Sequence, residues 1–344
     1  MSTNRRVVLA ERPRYIVPTA SCFRMDEGPM PGDLAEGEVL LRTVWLAMEG
    51  TLYAKVQRIT ALQRDPVKLK DPMVGSAIGR VEASRHPRFK VGDHVSGFWN
   101  WQDYVVCRGE RLRNLDFGPK KISYALGAHG LAGFGAYIAL DTLARPNAGE
   151  TVVVGTALGS LGHLAGQIAK IYGARVVGIA GSAEKCQLAV EKVGLDACVN
   201  RDSKDFEAQI KAACPNGIDV YVDTLGGRAT DAVIPLMNVG GRIAAVAQMT
   251  VVNPAEASGR GRMQNTLQFM QEIIARRLSI RGLITSDHVK GRVKEFDTKM
   301  KAWIDEGRIK PMEDIVVGLE NAPDAFQGVF EGRNRGTRLV KVAD

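Results

Sequence analysis

From about residue 129 onward, short runs of apolar, β-favouring residues alternate with stretches of helical periodicity, and that alternation predicts the architecture of the larger part of the chain. Thr151–Val154 reads as an apolar strand, followed by a glycine-rich turn, an amphipathic helix and a second strand, Arg175–Ala180. Ala197–Asn200, Ile218–Asp223, Gly241–Val246 and Leu278–Ile284 read as four more strands. The helices between them run to Ala213, through Met237 and over 263–276. Strands and crossover helices in that order specify a doubly wound α/β fold with a six-stranded parallel sheet. Segment 291–306 also has helical spacing. Residues 1–128 have a different texture. Short alternations at Glu38–Val44, Gly75–Glu82 and His94–Phe98, broken by turn signals such as Pro29-Met30-Pro31-Gly32-Asp33, predict a small barrel or sandwich. The C-terminal segment reverts to strand and loop and is expected to rejoin it. The expected organisation is therefore one domain of residues 1–128 and 307–344, and a second of residues 129–306.

Composition keeps this picture and removes several alternatives. The 344 residues suffice for two cores, and 45% hydrophobic with 24% charged residues is ordinary for a globular chain. The net charge of +8 is dispersed, with no run of five or six like charges, so it helps attract an anionic ligand without making a nucleic-acid footprint. Cysteines 22, 107, 186, 198 and 214 are odd in number and irregular in spacing, so reduced thiols are expected. No apolar stretch reaches spanning length, and the opening MSTNRRVVLAERP carries charges where a secretion signal needs an apolar core. The expected location is cytoplasmic, with no membrane partner.

The candidate chemistry sits in 151–186. The turn reads Ala157-Leu158-Gly159-Ser160-Leu161-Gly162. Glycines there let backbone approach a pyrophosphate, and the following helix presents its N–H groups and positive dipole end to it. An NAD site would place a carboxylate near the end of the second strand, to bond the ribose hydroxyl. Gly181-Ser182 and Lys185 stand there instead, which suits a 2′-phosphate and points to NADPH. Lys185 taken alone carries either reading, phosphate ligand or solvated first-turn lysine, and Glu184 reads as a residue that compensates the helix dipole. The crevice beyond the strand ends is expected to be lined by Gly181, Ser182, Arg201, Thr224, Val246, Ala247, Val252, Leu283 and Ile284.

Several longer segments carry a family resemblance. They are Val74-Gly75-Ser76-Ala77-Ile78-Gly79-Arg80-Val81-Glu82-Ala83-Ser84, Pro87-Arg88-Phe89-Lys90-Val91-Gly92-Asp93 and Gly97-Phe98-Trp99-Asn100-Trp101-Gln102-Asp103-Tyr104. To these add the cofactor unit ending Gly181-Ser182-Ala183-Glu184-Lys185-Cys186, then Gly318-Leu319-Glu320-Asn321-Ala322-Pro323-Asp324-Ala325-Phe326 and Glu331-Gly332-Arg333-Asn334. Together they resemble the medium-chain dehydrogenase/reductase superfamily, in its zinc-independent alkenal/one-oxoalkene reductase branch. The resemblance implies a GroES-like β-barrel domain beside a Rossmann domain, a homodimer, and NADPH-dependent reduction of the C=C bond of an enone or enal. It places pyrophosphate contacts at Gly159, Ser160, Leu161 and Gly162, the 2′-phosphate at Lys185, and a nicotinamide-side asparagine at Asn334. Arg201 stands where the family usually has a tyrosine, and a guanidinium can bind phosphate bidentately. Thr224 replaces an asparagine.

Metal is not expected. The Gly-His-Glu run of the zinc enzymes is Gly75-Ser76-Ala77 here, and histidines 86, 94, 129, 163 and 288 are scattered. On the substrate side the usual Asp-Pro-Tyr-Met-Arg is Glu49-Gly50-Thr51-Leu52-Tyr53, and the usual Tyr-Asn pair is Val252-Asn253. Tyr53 is the candidate catalytic proton donor; its alternative is an amphipathic tyrosine at a domain interface. Trp99 and Trp101 either wall the pocket or fill the core. Met263 and Met270 either line a lipophilic site or pack a helix. Two other functions remain open at this point: reduction of quinones or other carbonyls on the same scaffold, and a non-catalytic NADPH- or RNA-binding role.

Overall fold

The computed structural model describes residues 3–13, 17–57, 65–115, 120–247, 249 and 266–344. The chain divides into two compact units. One comprises Met1–Gly127 and Glu313–Asp344, the other Ala128–Met312. Among the described residues no helix is long and apolar enough to cross a membrane.

In the first unit, Thr3–Leu9 and Phe23–Pro29 form an antiparallel pair. A larger sheet runs, strand by strand, through Glu313–Val317, Thr337–Lys341, Glu38–Ala47, Val74–Ser84, His94–Asn100 and Arg113–Asn114, with Tyr104–Arg108 also paired to Glu38–Ala47. Only the two C-terminal strands pair parallel, and the remaining ladders are antiparallel. That is why helices are not needed between the early strands. Trp99 and Trp101 both belong to the core. Trp99 Nε1 donates to Thr43 Oγ1 at 3.1 Å, and Trp101 stacks edge-on with Phe326.

Phe326 belongs to a helix, Ala322–Phe330, where the sequence reading expected strand and loop. Ala322, Ala325, Phe326 and Val329 fall on one helical face against the core, and Pro323 sits in the first turn, where its missing N–H costs nothing.

The second unit holds six parallel strands: β1 (Thr151–Val154), β2 (Arg175–Ala180), β3 (Ala197–Asn200), β4 (Ile218–Asp223), β5 (Met237–Ala245) and β6 (Ser279–Gly282). They lie in the order β3-β2-β1-β4-β5-β6. Its helices are α1 (Leu131–Ile138), α2 (Gly162–Ile171), α3 (Ala183–Leu188), α4 (Phe206–Ala213), α5 (Gly227–Val233), α6 (Thr266–Arg276) and α7 (Val293–Asp305). Val152, Val153, Val154, Val177, Ile179, Val220, Tyr221 and Val222 are buried, as central parallel strands covered on both faces must be. The order reverses between β1 and β4, and a ligand crevice belongs beyond the strand C-termini at such a point.

Strand β5 starts at Met237, four residues before the sequence reading placed it. Between the Ile218–Met237 and Val220–Arg242 pairs, β4 advances two residues and β5 advances five. The extra length bulges out through Gly240, at φ 80°, so glycines that read as a turn before a strand are a bulge within one. Helix α1 also escaped the sequence reading. It is tied to α7 by Tyr137, whose hydroxyl donates to Glu295 at 2.7 Å and accepts from Lys299 at 2.9 Å.

Candidate functional site

The turn after β1 is built around missing side chains. A Cβ on Gly162 would lie 2.1 Å from the Thr156 carbonyl oxygen and 2.7 Å from that of Gly155. Helix α2 can therefore start this close to the end of β1 only with glycine at 162. Gly155, which the sequence reading passed over, is also constrained, since its Cβ would meet Thr224 Oγ1 at 2.7 Å and Thr224 N at 3.2 Å. Its signal was the glycine directly after an apolar strand. Thr156 adopts a left-handed backbone, φ 45°, and its hydroxyl lies 2.8 Å from that of Thr224. Gly159 closes the turn by donating its N–H to Thr156 O at 2.6 Å. Gly159, Ser160, Leu161 and Gly162 are thus gathered at the start of α2, and a helix start of this kind can accommodate a phosphate.

One buried residue holds this cradle from beneath. His163 is fully buried, with Nδ1 2.8 Å from the Gly159 carbonyl and Nε2 3.2 Å from the Met312 N–H. A carbonyl can only accept and an amide can only donate, so the ring is neutral with its proton on Nδ1. Burial pushes its pKa down to about 4. His163 is a satisfied core histidine rather than a ligand. Gln167, one turn on, donates to the His163 carbonyl and accepts from Lys310 N–H at 2.7 Å.

Strands β2 and β3 end level, Asn200 paired with Ala180. Ser182 caps α3, its hydroxyl accepting the Lys185 N–H at 3.2 Å. The side chain expected to face the crevice therefore anchors a helix. Arg201 donates its N–H to Ala180 O at 2.8 Å, and its guanidinium lies over Gly181, with Nε 3.6 Å from the position a Cβ would take there. The half-buried Lys185 follows on the first turn of α3. The sequence reading missed Asp202. Its carboxylate lies 3.5 Å from the same point over Gly181 and 3.6 Å from Arg201 Nε, so this edge carries an anion as well as cations. No local pattern announced it, because β3 delivers it beside β2 from some twenty residues downstream.

The ends of β4 and β5 are knotted by Asp223. Its carboxylate accepts the N–H groups of Leu225 and Gly226 at 2.9 Å and the Thr230 hydroxyl at 2.7 Å. Its carbonyl accepts from Val246 at 2.8 Å and Ala247 at 3.3 Å, while Leu283 N–H bonds Ala245 O at 2.9 Å. Thr224, Val246, Ala247, Leu283 and Ile284 therefore share the C-terminal edge of the sheet with the cradle. Ile284 is half exposed, whereas Leu283 is buried. Val252 and Met263 lie outside the described residues. Met270 is exposed on α6.

Two candidates belong to the first unit. Tyr53 opens a one-turn helix, Tyr53–Val56, and is half-buried. Just before it, both Glu49 carboxylate oxygens accept from the Ser76 hydroxyl, at 3.2 and 3.0 Å. Asn334 is buried, its amide donating to Gly336 O at 2.9 Å within its own loop. Among the described residues no group of three or more His, Cys, Asp or Glu side chains could hold a metal ion.

The donor set fits a dinucleotide: a glycine cradle at a helix start, cations where β2 and β3 end, and a level strand edge beyond. Residues 5–115 match the family described as the N-terminal domain of oxidoreductase, and residues 160–303 the one described as zinc-binding dehydrogenase. The NADPH-dependent curcumin reductase of Escherichia coli is 39% identical over 99% of this chain and 97% of its own. The (+)-pulegone reductase of Mentha piperita is 32% identical over 90% of each. Among solved structures, that of CurA from Vibrio vulnificus in complex with NADPH superposes with a TM-score of 0.92 at 38% identity, covering 99% of both chains. The chain belongs to the medium-chain dehydrogenase/reductase superfamily, in its zinc-independent alkenal/one-oxoalkene reductase branch.

Proposed function

We propose that this protein uses NADPH to reduce the activated C=C bond of α,β-unsaturated ketones or aldehydes in the cytoplasm. The observation that carries the reading is the Arg201 guanidinium over Gly181, with Lys185 on the helix that follows, where β2 and β3 end. It is supported by likeness along nearly the whole chain to reductases named for curcumin and pulegone. Bound NADPH supplies a hydride to the β-carbon of the substrate.

The chain's own residues do the rest. Gly155, Gly159 and Gly162 let backbone N–H groups reach the pyrophosphate, and the positive end of α2 favours its charge. Lys185 and Arg201 hold the 2′-phosphate, with Arg201 able to bind it through two N–H groups. Val246, Ala247 and Ile284 offer a mostly apolar edge for the nicotinamide, and Asn334 serves the same end, as the resemblance implies. Residues 1–128 and 307–344 form the GroES-like substrate domain and 129–306 the NADP domain in this reading. Tyr53 donates from its hydroxyl to the carbonyl oxygen as negative charge grows there, and the enolate takes a proton at its α-carbon. The working form is a homodimer. The terminal strand β6, exposed at all four residues, is an edge that a second copy can extend.

A panel of enones, enals and quinones, with NADPH consumption followed by absorbance, tests the reading. The expected result is consumption with enones and enals, and a product carrying two added hydrogens by mass. Turnover of quinones alone would overturn it.

A further inference from the structure

Two of the five cysteines meet beside the cations assigned to the 2′-phosphate. Cys186 lies on α3, next to Lys185, and Cys198 lies on β3, three residues before Arg201. The two thiols hydrogen-bond one another, and the Ala180 N–H donates to the Cys186 sulfur. Both residues are only partly buried, as is Cys107, whereas Cys22 and Cys214 are buried. The Cys198 sulfur is held in place. β3 is laddered to β2 through the Cys198–Gly178 pair, and a Cβ on Gly178 would lie 3.1 Å from Cys198 Sγ. The contact polarises the pair: the Cys198 S–H holds the Cys186 thiol below its ordinary value, and the same contact, with burial, holds Cys198 well above its own. One thiol is thus prepared to attack and the other to follow.

We propose that Cys186 and Cys198 form a reversible disulfide that weakens NADPH binding; the second half of this rests on the cofactor reading above. The Cys186 thiolate attacks one sulfur of a low-molecular-weight disulfide, breaking its S–S bond and releasing one thiolate. Cys198 then gives up its proton and attacks Cys186 Sγ, breaking the mixed disulfide and releasing the second thiolate. The protein dithiol loses two electrons and two protons, and the small disulfide becomes two thiols. Bond formation draws the sulfurs from hydrogen-bonding separation to about 2.05 Å. Strand β3 is pinned in the sheet, so α3, a six-residue helix, takes up the movement. Ser182 caps that helix and Lys185 rides on it, while Gly181 and Arg201 stay with the strands. The cations then no longer converge on one phosphate.

The test treats the full-length protein with oxidised glutathione. The reduced protein should lose two thiols by colorimetric titration and about 2 Da by intact mass, with a peptide map joining Cys186 to Cys198. Cys186→Ser and Cys198→Ala, made separately, should each block the internal bond and leave at most a glutathione adduct, on the remaining cysteine of the pair or on Cys107. Oxidised wild type should show an NADPH KM raised by about tenfold, the loss of one charged phosphate contact, with kcat held and full recovery in dithiothreitol. Glutathione adducts in wild type with no Cys186–Cys198 link would overturn the pairing. A mapped disulfide with unchanged NADPH KM would overturn the regulation. Reduced protein that fails to bind NADPH in a fluorescence titration would sink the cofactor reading instead, and the thiol count is independent of it.

Discussion

Mild acid should loosen the nucleotide unit through His163. The neutral ring fills both its bonds, Nδ1–H to Gly159 O and Nε2 to the Met312 N–H, and is fully buried. A second proton would have to displace the Met312 amide and bring a charge out of water. Burial accordingly lowers the pKa from 6.5 to about 4, against the smaller opposing pull of the Gly159 carbonyl. In the unfolded chain the imidazole titrates near its ordinary value of about 6.5. Between pH 6.5 and 4 the unfolded chain therefore binds more protons than the folded one, so stability falls as pH falls. The contribution is complete above pH 6.5, declines through that window and levels off below 4. A drop from 6.5 to about 4 corresponds to a loss of about 3 kcal/mol when complete, of which about 2 kcal/mol is gone by pH 5.

Two measurements check this. In an NMR titration of the five histidines, the resonance absent from His163→Asn should stay unshifted down to about pH 5. In urea unfolding, the Asn variant keeps a donor for Gly159 but strands the Met312 N–H. It should be less stable than wild type by about 1–3 kcal/mol at pH 7.5. At pH 5 that gap should shrink by about 2 kcal/mol, because only the wild type carries the titrating group. A His163 midpoint near 6.5, or a gap that is the same at both pH values, would refute the reasoning.

The remaining predictions concern the cofactor edge. Gly162→Ala puts a methyl 2.1 Å from the Thr156 oxygen, so α2 must back away from the cradle. NADPH affinity should fall by about a hundredfold, the cost of a 1 Å misplacement, and unchanged affinity by fluorescence titration would show that the turn is not the phosphate site. Lys185→Ala and Arg201→Ala should each raise the NADPH KM about tenfold and leave the NADH KM nearly unchanged, while Asp202→Asn should lower the NADPH KM. Equal effects on the two cofactors would remove Lys185 and Arg201 from the 2′-phosphate.

What the sequence made legible follows the range of the forces concerned. Strands such as Val152–Val154 and Val220–Val222 are continuous apolar runs because they are covered on both faces, and that leaves a mark in one short window. The crossover helices announced themselves by period. Failures came where a local sign has two meanings. Gly240-Gly241 reads equally as a turn or as a bulge, and only pairing with Ile218 and Val220 decides it. The Ala322–Phe330 helix reads as loop until Phe23 and Trp101 give Phe326 something to pack on. The residues missed were set by distant partners: Gly155 by Thr224, and Asp202 by a neighbouring strand. Ser182 was found, but its hydroxyl is bound up in the cap of α3, where it accepts the Lys185 N–H.

The irregular glycine turn gains its explanation from the same geometry. Ala157 stands where a glycine-rich turn would have another glycine, and the missing space is supplied from the adjacent strand. A Cβ on Gly178 would fall 2.6 Å from the Ala157 Cβ. The fingerprint is thus complete in space although it is incomplete along the chain, with Gly178 paired to Val154 just ahead of the turn. The same point lies 3.1 Å from Cys198 Sγ and 2.8 Å from Leu195. One absent side chain therefore sets both the seat of the glycine turn and the seat of the Cys198 thiol, with close packing between them. Packing this tight leaves little room for displacement. Cys198 and the turn are therefore held fixed, and the movement a Cys186–Cys198 disulfide demands goes through α3 to Lys185, the residue proposed for the 2′-phosphate, so oxidation is expected to act on NADPH affinity before it acts on turnover.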